Sequence, residues 1–258
     1  MTKPIALFDS GVGGLTVLKS IVGLLPYENY VYLADSDFFP YGTKQFDQLD
    51  ARIQQVTQRL ISFDVKAIVV ACNTASLHLS SIKKLADVPV IDAIFPTAQK
   101  AIATTKNKQV CLLATDATVS NARYQKLLSA SGVEVIAIPC SDFVPLAENG
   151  QLSTATTLQV VQRKLQPFSH LHFDTVILGC THFGLLEQAI RSVLGQCNYV
   201  QCGDAIGQVL VDTVSNANLQ QSSKKGHIDV FSTGKTDTLF AACQLQNLQI
   251  SSFKTINL

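Results

Sequence analysis

Charge is scarce in this sequence. Charged residues make up 15% of the 258 positions, against about 25% in an ordinary soluble domain. Lys and Arg number 20 and Asp and Glu 19, a net charge of +1, so no electrostatic footprint for nucleic acid or an anionic membrane surface is present. Long apolar runs are missing too. Hydrophobic residues reach 47%, enough for a large core, yet unbroken stretches such as Ala67-Ile-Val-Val-Ala-Cys72 fall far below the roughly 18 residues needed to span a bilayer. The opening MTKPIALFDSG lacks the basic-then-apolar layout of a signal peptide, and a soluble, cytoplasmic protein is expected. Seven cysteines are an odd count and form no CxxC pair, which argues against a disulfide scaffold or a zinc site and for free thiols in a reducing compartment. His170 and His172 alternate without a matching Cys or Asp cluster, so no metal site is expected. Low-complexity tracts and charge runs of the kind that mark interaction tails are absent.

What is present is alternation. Short runs rich in β-branched residues (Ile5–Phe8, Tyr30–Leu33, Ala67–Ala71, Val88–Ile91, Val110–Ala114, Val133–Ile138, Thr175–Leu178) alternate with helix-like stretches such as Phe46–Phe63, Ala122–Ser131 and Leu185–Leu194. This pattern predicts βαβ units, a mainly parallel sheet and an α/β fold. Strands of a parallel sheet are buried on both faces and read as continuous apolar runs. Ligand sites belong at their C-terminal edges.

The chain also repeats itself in phase. Asp9, ending Leu7-Phe8-Asp9-Ser10, matches Thr115 in Leu113-Ala114-Thr115-Asp116, an offset of 106 residues. Ser36-Asp-Phe-Phe-Pro40 matches Ser141-Asp-Phe-Val-Pro145 at 105, and Ile68-Val-Val-Ala-Cys72 matches Val176-Ile-Leu-Gly-Cys180 at 108. Three strand ends recurring in one order predict two similar, pseudo-symmetric parallel-sheet α/β domains with the active site in the cleft between them. The tail carries a helix-like Ala205–Ser215, a polar linker Asn216–Gly226, a strand Ile228–Phe231, a helix Thr236–Leu248 and a last strand near Ile250–Ile256. It is too short for a third domain and is expected to return to the first. The expected division is residues 1–93 plus 207–258, and residues 94–206.

Each half presents a cysteine at the end of its third strand, in Cys72-Asn73-Thr74 and Cys180-Thr181-His182. Helix N-termini after those strands would favour thiolate and bind a substrate carboxylate. For a single cysteine, a small buried hydrophobe is the better reading. The repeat-related pair reverses that preference, because two facing sulfurs can take a proton from one face of a carbon and return it to the other. In Asp9-Ser10-Gly11-Val12-Gly13-Gly14 the third glycine of a dinucleotide fingerprint is replaced by Thr16, and Asp9 would repel a pyrophosphate while suiting an ammonium group. Asp35 is the one acidic residue spaced to hold a ribose. The glycines are expected to let the backbone approach a small ligand closely. Pro40-Tyr41-Gly42 and its counterpart Pro145-Leu146-Ala147-Glu148 read equally as turns or as site residues.

Together with Ala71-Cys72-Asn73-Thr74-Ala75-Ser76, Phe143-Val-Pro-Leu146 with Glu148, Leu178-Gly-Cys180-Thr181-His182 and Pro40-Tyr41-Gly42-x-Lys44, the opening Asp9-Ser10-Gly-Val-Gly-Gly resembles the glutamate racemase family of the aspartate/glutamate racemase superfamily. The likeness runs through most of the chain. It departs at Phe183 and Gly184, where that family usually has tyrosine and proline. The resemblance implies interconversion of L- and D-glutamate without pyridoxal phosphate, metal or other cofactor, supplying D-glutamate for peptidoglycan. It implies Cys72 and Cys180 as the acid/base thiols, with Asp9, Glu148 and His182 tuning them. It also implies a substrate pocket of Asp9, Ser10, Tyr41, Gly42, Asn73, Thr74, Thr115, Thr118, Thr181 and His182. The expected partner is small-molecule glutamate, with a homodimer left open. Aspartate racemase, a non-enzymatic amino-acid-binding protein and a nucleotide-dependent oxidoreductase remain as alternatives.

Overall fold

A computed structural model describes residues 3–216 and 225–258. The first half runs β1 (Ile5–Asp9), α1 (Gly14–Leu24), β2 (Tyr30–Ala34), α2 (Phe46–Ile61), β3 (Ala67–Val70), α3 (Leu79–Leu85), β4 (Val90–Asp92) and α4 (Ile94–Thr104). The second runs β5 (Gln109–Ala114), α5 (Asp116–Asn121), α6 (Arg123–Ser129), β6 (Glu134–Pro139), α7 (Phe143–Glu148), α8 (Ala155–Leu165), β7 (Thr175–Gly179), α9 (Glu187–Leu194) and β8 (Asn198–Gln201). The tail supplies α10 (Cys202–Asn216), β9 (Ile228–Ser232), α11 (Asp237–Leu245) and β10 (Ser252–Thr255).

Two sheets form, in the orders β10-β9-β2-β1-β3-β4 and β6-β5-β7-β8, and every pairing is parallel. The repeat read from the sequence is visible in these orders: β2-β1-β3-β4 and β6-β5-β7-β8 are the same arrangement. The tail strand β9 pairs with β2 and carries β10 outside it. The two sheets make this an α/β protein with two parallel-sheet halves.

The strands need apolar residues on both faces because helices cover both. Along β1, Ile5 and Leu7 pack with Leu18, Ile21 and Leu210 on one side, and Ala6 and Phe8 with Ile53, Val56 and Leu60 on the other. Strand β5 does the same in the second sheet: Cys111 and Leu113 face Val161 and Ile190, while Val110 and Leu112 face Ala98 and Leu128. Side chains alternate along a strand with period two, so each central strand feeds two cores. Helix α2 answers with Leu49, Ile53, Val56 and Leu60, all buried, at the three- and four-residue spacing of one helical face. Burial of each such aliphatic side chain contributes about 1.5–3 kcal/mol.

Where boundaries differ from the sequence reading, local chemistry explains it. The strand expected over Val88–Ile91 starts at Val90, because Pro89 has no N–H to enter the ladder and only its carbonyl accepts, from Ile68. The helix expected over Ala122–Ser131 starts at Arg123, since Ala122 sits at φ 60 and ends α5 in a left-handed turn. The one expected over Leu185–Leu194 starts at Glu187, because Thr181–Leu186 form a 3₁₀ turn. The polar linker starts at Asn216, the last residue of α10; its residues 217–224 lie outside the described residues.

Strand register places the chemistry. Phe8 stands opposite Val70 and Ala71 bonds back to Phe8, which brings Cys72 beside Ser10 at the edge of the first sheet. Ala114 stands opposite Gly179 in the second, which brings Cys180 beside Thr115. Among the described residues, no helix is long and apolar enough to cross a membrane.

Candidate active site

The C-terminal strand edges of the two sheets close around one cavity of about 110 Å³. The first half contributes Ser10, Phe39, Pro40, Tyr41, Gly42, Thr43, Cys72, Asn73 and Thr74 to its wall. From the second come Thr115, Ser141, Val144, Pro145, Cys180, Thr181 and His182. Of the residues expected from sequence, all but Asp9, Thr118 and Glu148 line the cavity. Those three stand one contact behind it.

Cys72 is buried, 6% exposed, and lies 4.0 Å from the Ser10 hydroxyl. Burial pushes its pKa up, and the nearby Asp9 carboxyl adds to the rise more than the Ala75 N–H offsets it. The resting form is therefore the thiol. The expectation that helix N-termini would favour thiolate is corrected here: Cys72 is followed by a turn and the 3₁₀ segment Ala75–His78, and Cys180 by the 3₁₀ turn Thr181–Leu186. Neither of the residues following each cysteine caps a helix with its side chain. Asn73 Nδ2 donates to Cys202 Sγ at 3.2 Å, and Asn73 Oδ1 accepts from the Tyr124 hydroxyl at 2.7 Å. Thr74 Oγ1 lies 3.0 Å from Thr115 Oγ1, across the two halves.

Cys180 has different company. Its Sγ is 3.8 Å from His182 Nδ1, and His182 Nε2 is 2.6 Å from Glu148 Oε2. Burial alone would lower the His182 pKa, but hydrogen bonds to Cys180 and Glu148 outweigh it and hold the ring protonated well above the usual histidine range. A protonated His182 is a counter-charge for a Cys180 thiolate. Glu148 also accepts the Val12 N–H, at 3.1 Å, tying the second half's α7 to the first half's loop.

Asp9 is fully buried. Its Oδ1 accepts from the Gly11 N–H at 3.0 Å and its Oδ2 from the Thr181 hydroxyl at 3.0 Å. The Gly11 contact is an Asx-type turn rather than a cap on α1, whose first turn has no side-chain cap. Burial raises its pKa against the opposing pull of His182 and these two donors. The glycines after it answer to protein packing and not to a ligand, which revises the sequence reading. A Cβ on Gly11 would stand 2.6 Å from Glu148 Oε2, and one on Gly13 2.5 Å from Thr181 Oγ1. Side chains there would push the two halves apart. Asp35, the one residue spaced to hold a ribose, is occupied by the Arg52 guanidinium at 2.6 and 2.9 Å, so the nucleotide reading loses its acidic anchor. Among the described residues, no group of three His, Cys, Asp or Glu side chains is placed to hold a metal ion.

A family model described as Asp/Glu/hydantoin racemase matches residues 16–215. The chain belongs to that family. The glutamate racemase of Staphylococcus carnosus is 42% identical over 199 residues, 76% of this chain and 75% of that protein. The crystal structure of a glutamate racemase isoform from Bacillus anthracis superposes with a TM-score of 0.94 at 30% identity, covering 99% of this chain and 98% of that one. The glutamate racemase from Francisella tularensis, solved in complex with D-glutamate, gives 0.92 at 26% identity, covering 99% and 98%.

In this racemase-family chain the departures at Phe183 and Gly184 do not line the cavity. Phe183 is fully buried against Phe143, ring centroids 5.5 Å apart, inside the second core. Gly184 faces Gln201. Phe39, Thr43, Ser141, Val144 and Pro145 line the cavity without having been singled out individually. The repeated Ser-Asp-Phe-x-Pro segment was the signal for four of these five, since Phe39 falls in one copy and Ser141, Val144 and Pro145 in the other.

Proposed function

We propose that this chain interconverts L- and D-glutamate by moving the α-proton between two thiols, with no cofactor. The observation that carries this reading is the placement of Cys72 and Cys180 at equivalent strand ends of two facing sheets, both on the wall of one small cavity. A thiolate on one side removes the α-proton, leaving the electron pair on the substrate carbon. The thiol on the other side then delivers its own proton to the opposite face. Each turnover exchanges the protonation states of the two sulfurs, and the reverse reaction restores them.

In the free enzyme burial and Asp9 favour the Cys72 thiol, while protonated His182 stands beside Cys180. Glu148 holds His182, and Asp9 acts through Thr181 and on Cys72 as a positioning residue. Ser10, Tyr41, Gly42, Asn73, Thr74, Thr115, Thr181 and His182 present polar atoms or backbone to the amino acid, with Thr118 holding Thr115 at 2.9 Å. A substrate seated in this cavity displaces water from it, which strengthens each of these contacts. The division into residues 1–93 plus 207–258 and residues 94–206 fits a site built at a seam. A role in supplying D-glutamate for peptidoglycan and a cytoplasmic location belong to the same reading, supported by seven free cysteines, six of them buried.

The test is an assay of purified protein with L-glutamate and, separately, L-aspartate, without added cofactor. Racemisation of glutamate alone is expected. Turnover of aspartate in preference to glutamate overturns the substrate assignment, and binding without turnover of either overturns the enzyme reading.

A further inference from the structure

Asp35 is fully buried and lies off the cavity wall, yet four hydrogen bonds from three separate segments converge on its carboxylate. The Tyr41 hydroxyl donates to Oδ2 at 2.7 Å, and Arg52 Nε donates to the same oxygen at 2.9 Å. Arg52 Nη2 donates to Oδ1 at 2.6 Å, and the Thr233 hydroxyl to Oδ1 at 2.8 Å. Arg52 comes from α2 and Thr233 from the turn after β9. The Arg52 guanidinium also lies 5.4 Å from the centre of the Phe38 ring, which meets the Tyr41 ring edge-on at 6.3 Å. A planar fork on a carboxylate fixes direction as well as distance, which a point charge would not do.

Tyr41 is the one member of this cluster on the cavity wall, followed there by Gly42 and Thr43. Its phenol hydrogen is committed to Asp35, so toward the cavity Tyr41 offers ring surface and an oxygen lone pair, never a donated proton. The turn Tyr41–Thr43 packs on α5 of the second half. It therefore lies between the clamp and the opposite side of the cleft.

We infer that Asp35, locked by Arg52 and Thr233, is a positioning residue that fixes the Tyr41–Thr43 turn as a preformed wall for the substrate. This rests on the glutamate racemase reading. The clamp touches neither thiol, so it acts on binding and not on proton transfer. Holding a binding group in place ahead of time spares the substrate the cost of ordering it.

The experiment is steady-state kinetics with L- and D-glutamate on the wild type, Tyr41→Phe, Asp35→Asn, the Tyr41→Phe/Asp35→Asn double variant and Arg52→Lys, each with a thermal melt. Asp35→Asn is expected to raise KM about tenfold for both enantiomers while kcat stays within about threefold. Tyr41→Phe is expected to do the same, and the double variant to lose little more than either single, because Asp35 acts through Tyr41. Arg52→Lys, at a partly exposed position, keeps the charge but not the fork, and is expected to raise KM about threefold. It carries the test if Asp35→Asn fails to fold. An active wild type whose folded variants melt at lower temperature but keep their KM overturns the clamp alone, as does a double variant whose losses add in full. A wild type that racemises no glutamate overturns the reading beneath it.

Discussion

The two cysteines occupy equivalent places in two halves of one design, but their surroundings are not equivalent. Cys72 sits at the edge of the first sheet with a hydroxyl, Ser10, and a buried carboxyl, Asp9, nearby; both burial and that carboxyl keep it protonated. Cys180 sits at the edge of the second sheet with an imidazole at 3.8 Å that is itself held by Glu148 at 2.6 Å. Repetition supplied two sulfurs facing one cavity. Divergence around them supplied different partners, a buried carboxyl beside Cys72 and a protonated imidazole beside Cys180. The halves also tune each other: Asp9 of the first bonds Thr181 of the second, and Glu148 of the second bonds the Val12 N–H of the first.

Removing the sulfurs breaks the comparison hardest. Cys72→Ser and Cys180→Ser should each cut kcat by about 10²–10⁴, the range for loss of a general acid or base. Near-normal turnover of both enantiomers by either variant would mean that the two halves do not divide the work. Asp9→Asn comes next, with kcat/KM expected to fall by about 10–10³ in a protein that melts like the wild type. Asparagine can keep the Gly11 contact through its carbonyl but cannot keep the charge beside Cys72, so an unchanged kcat/KM would reduce Asp9 to a turn former.

Glu148→Gln sharpens the comparison by pH. Glu148 favours the imidazolium form of His182, so its removal lowers the His182 pKa and should move the alkaline limb of the kcat/KM profile to lower pH. A limb that stays in place would separate His182 from the rate. A carboxylate outside the site provides the contrast of smallest effect. Partial burial works against the charged form of Asp174, but the N–H groups of Asn107 and Lys106 and the hydroxyls of Thr105 and Thr175 outweigh it and lower its pKa from 3.8 to about 2. Its stabilising contribution is complete above the unfolded value and is lost as pH falls through the folded one. Asp174→Asn should therefore cost about 1 kcal/mol near neutral pH, allowing for solvent screening, and nothing below about pH 2, with racemisation untouched. Urea unfolding at pH 7 and pH 2 measures this difference.

Much of the architecture was legible because parallel strands advertise themselves. The runs ending at Phe8, Leu33 and Ala71 and at Ala114, Ile138 and Leu178 gave both the sheet and its repetition, and their polar ends gave the cavity wall. The inner workings were not legible, since they depend on pairs far apart in sequence. Nothing in the spacing of Asp9 and Thr181, or of Tyr41, Arg52 and Thr233 around Asp35, announces a hydrogen bond. The glycines misled for a related reason. An absent Cβ at Gly11 or Gly13 signals close approach but not what approaches, and here it is Glu148 and Thr181 of the other half. Behind the cysteines 3₁₀ turns stand where helix N-termini were expected: Asn73, Thr74 and Thr181 spend their side chains on partners across the cleft and His182 on Glu148 of its own half.

The claim that two sulfurs on opposite faces share one proton transfer is tested most directly in heavy water. Purified protein, without cofactor, is given L-glutamate and stopped early, and both enantiomers are analysed for α-deuterium; the experiment is repeated from D-glutamate. The account predicts one deuterium in each molecule of product, delivered by the sulfur that had exchanged with solvent, and protium retained in the recovered substrate. Product that keeps its original α-proton, or deuterium appearing in recovered substrate as fast as in product, would contradict it, because a single group would then be serving both faces.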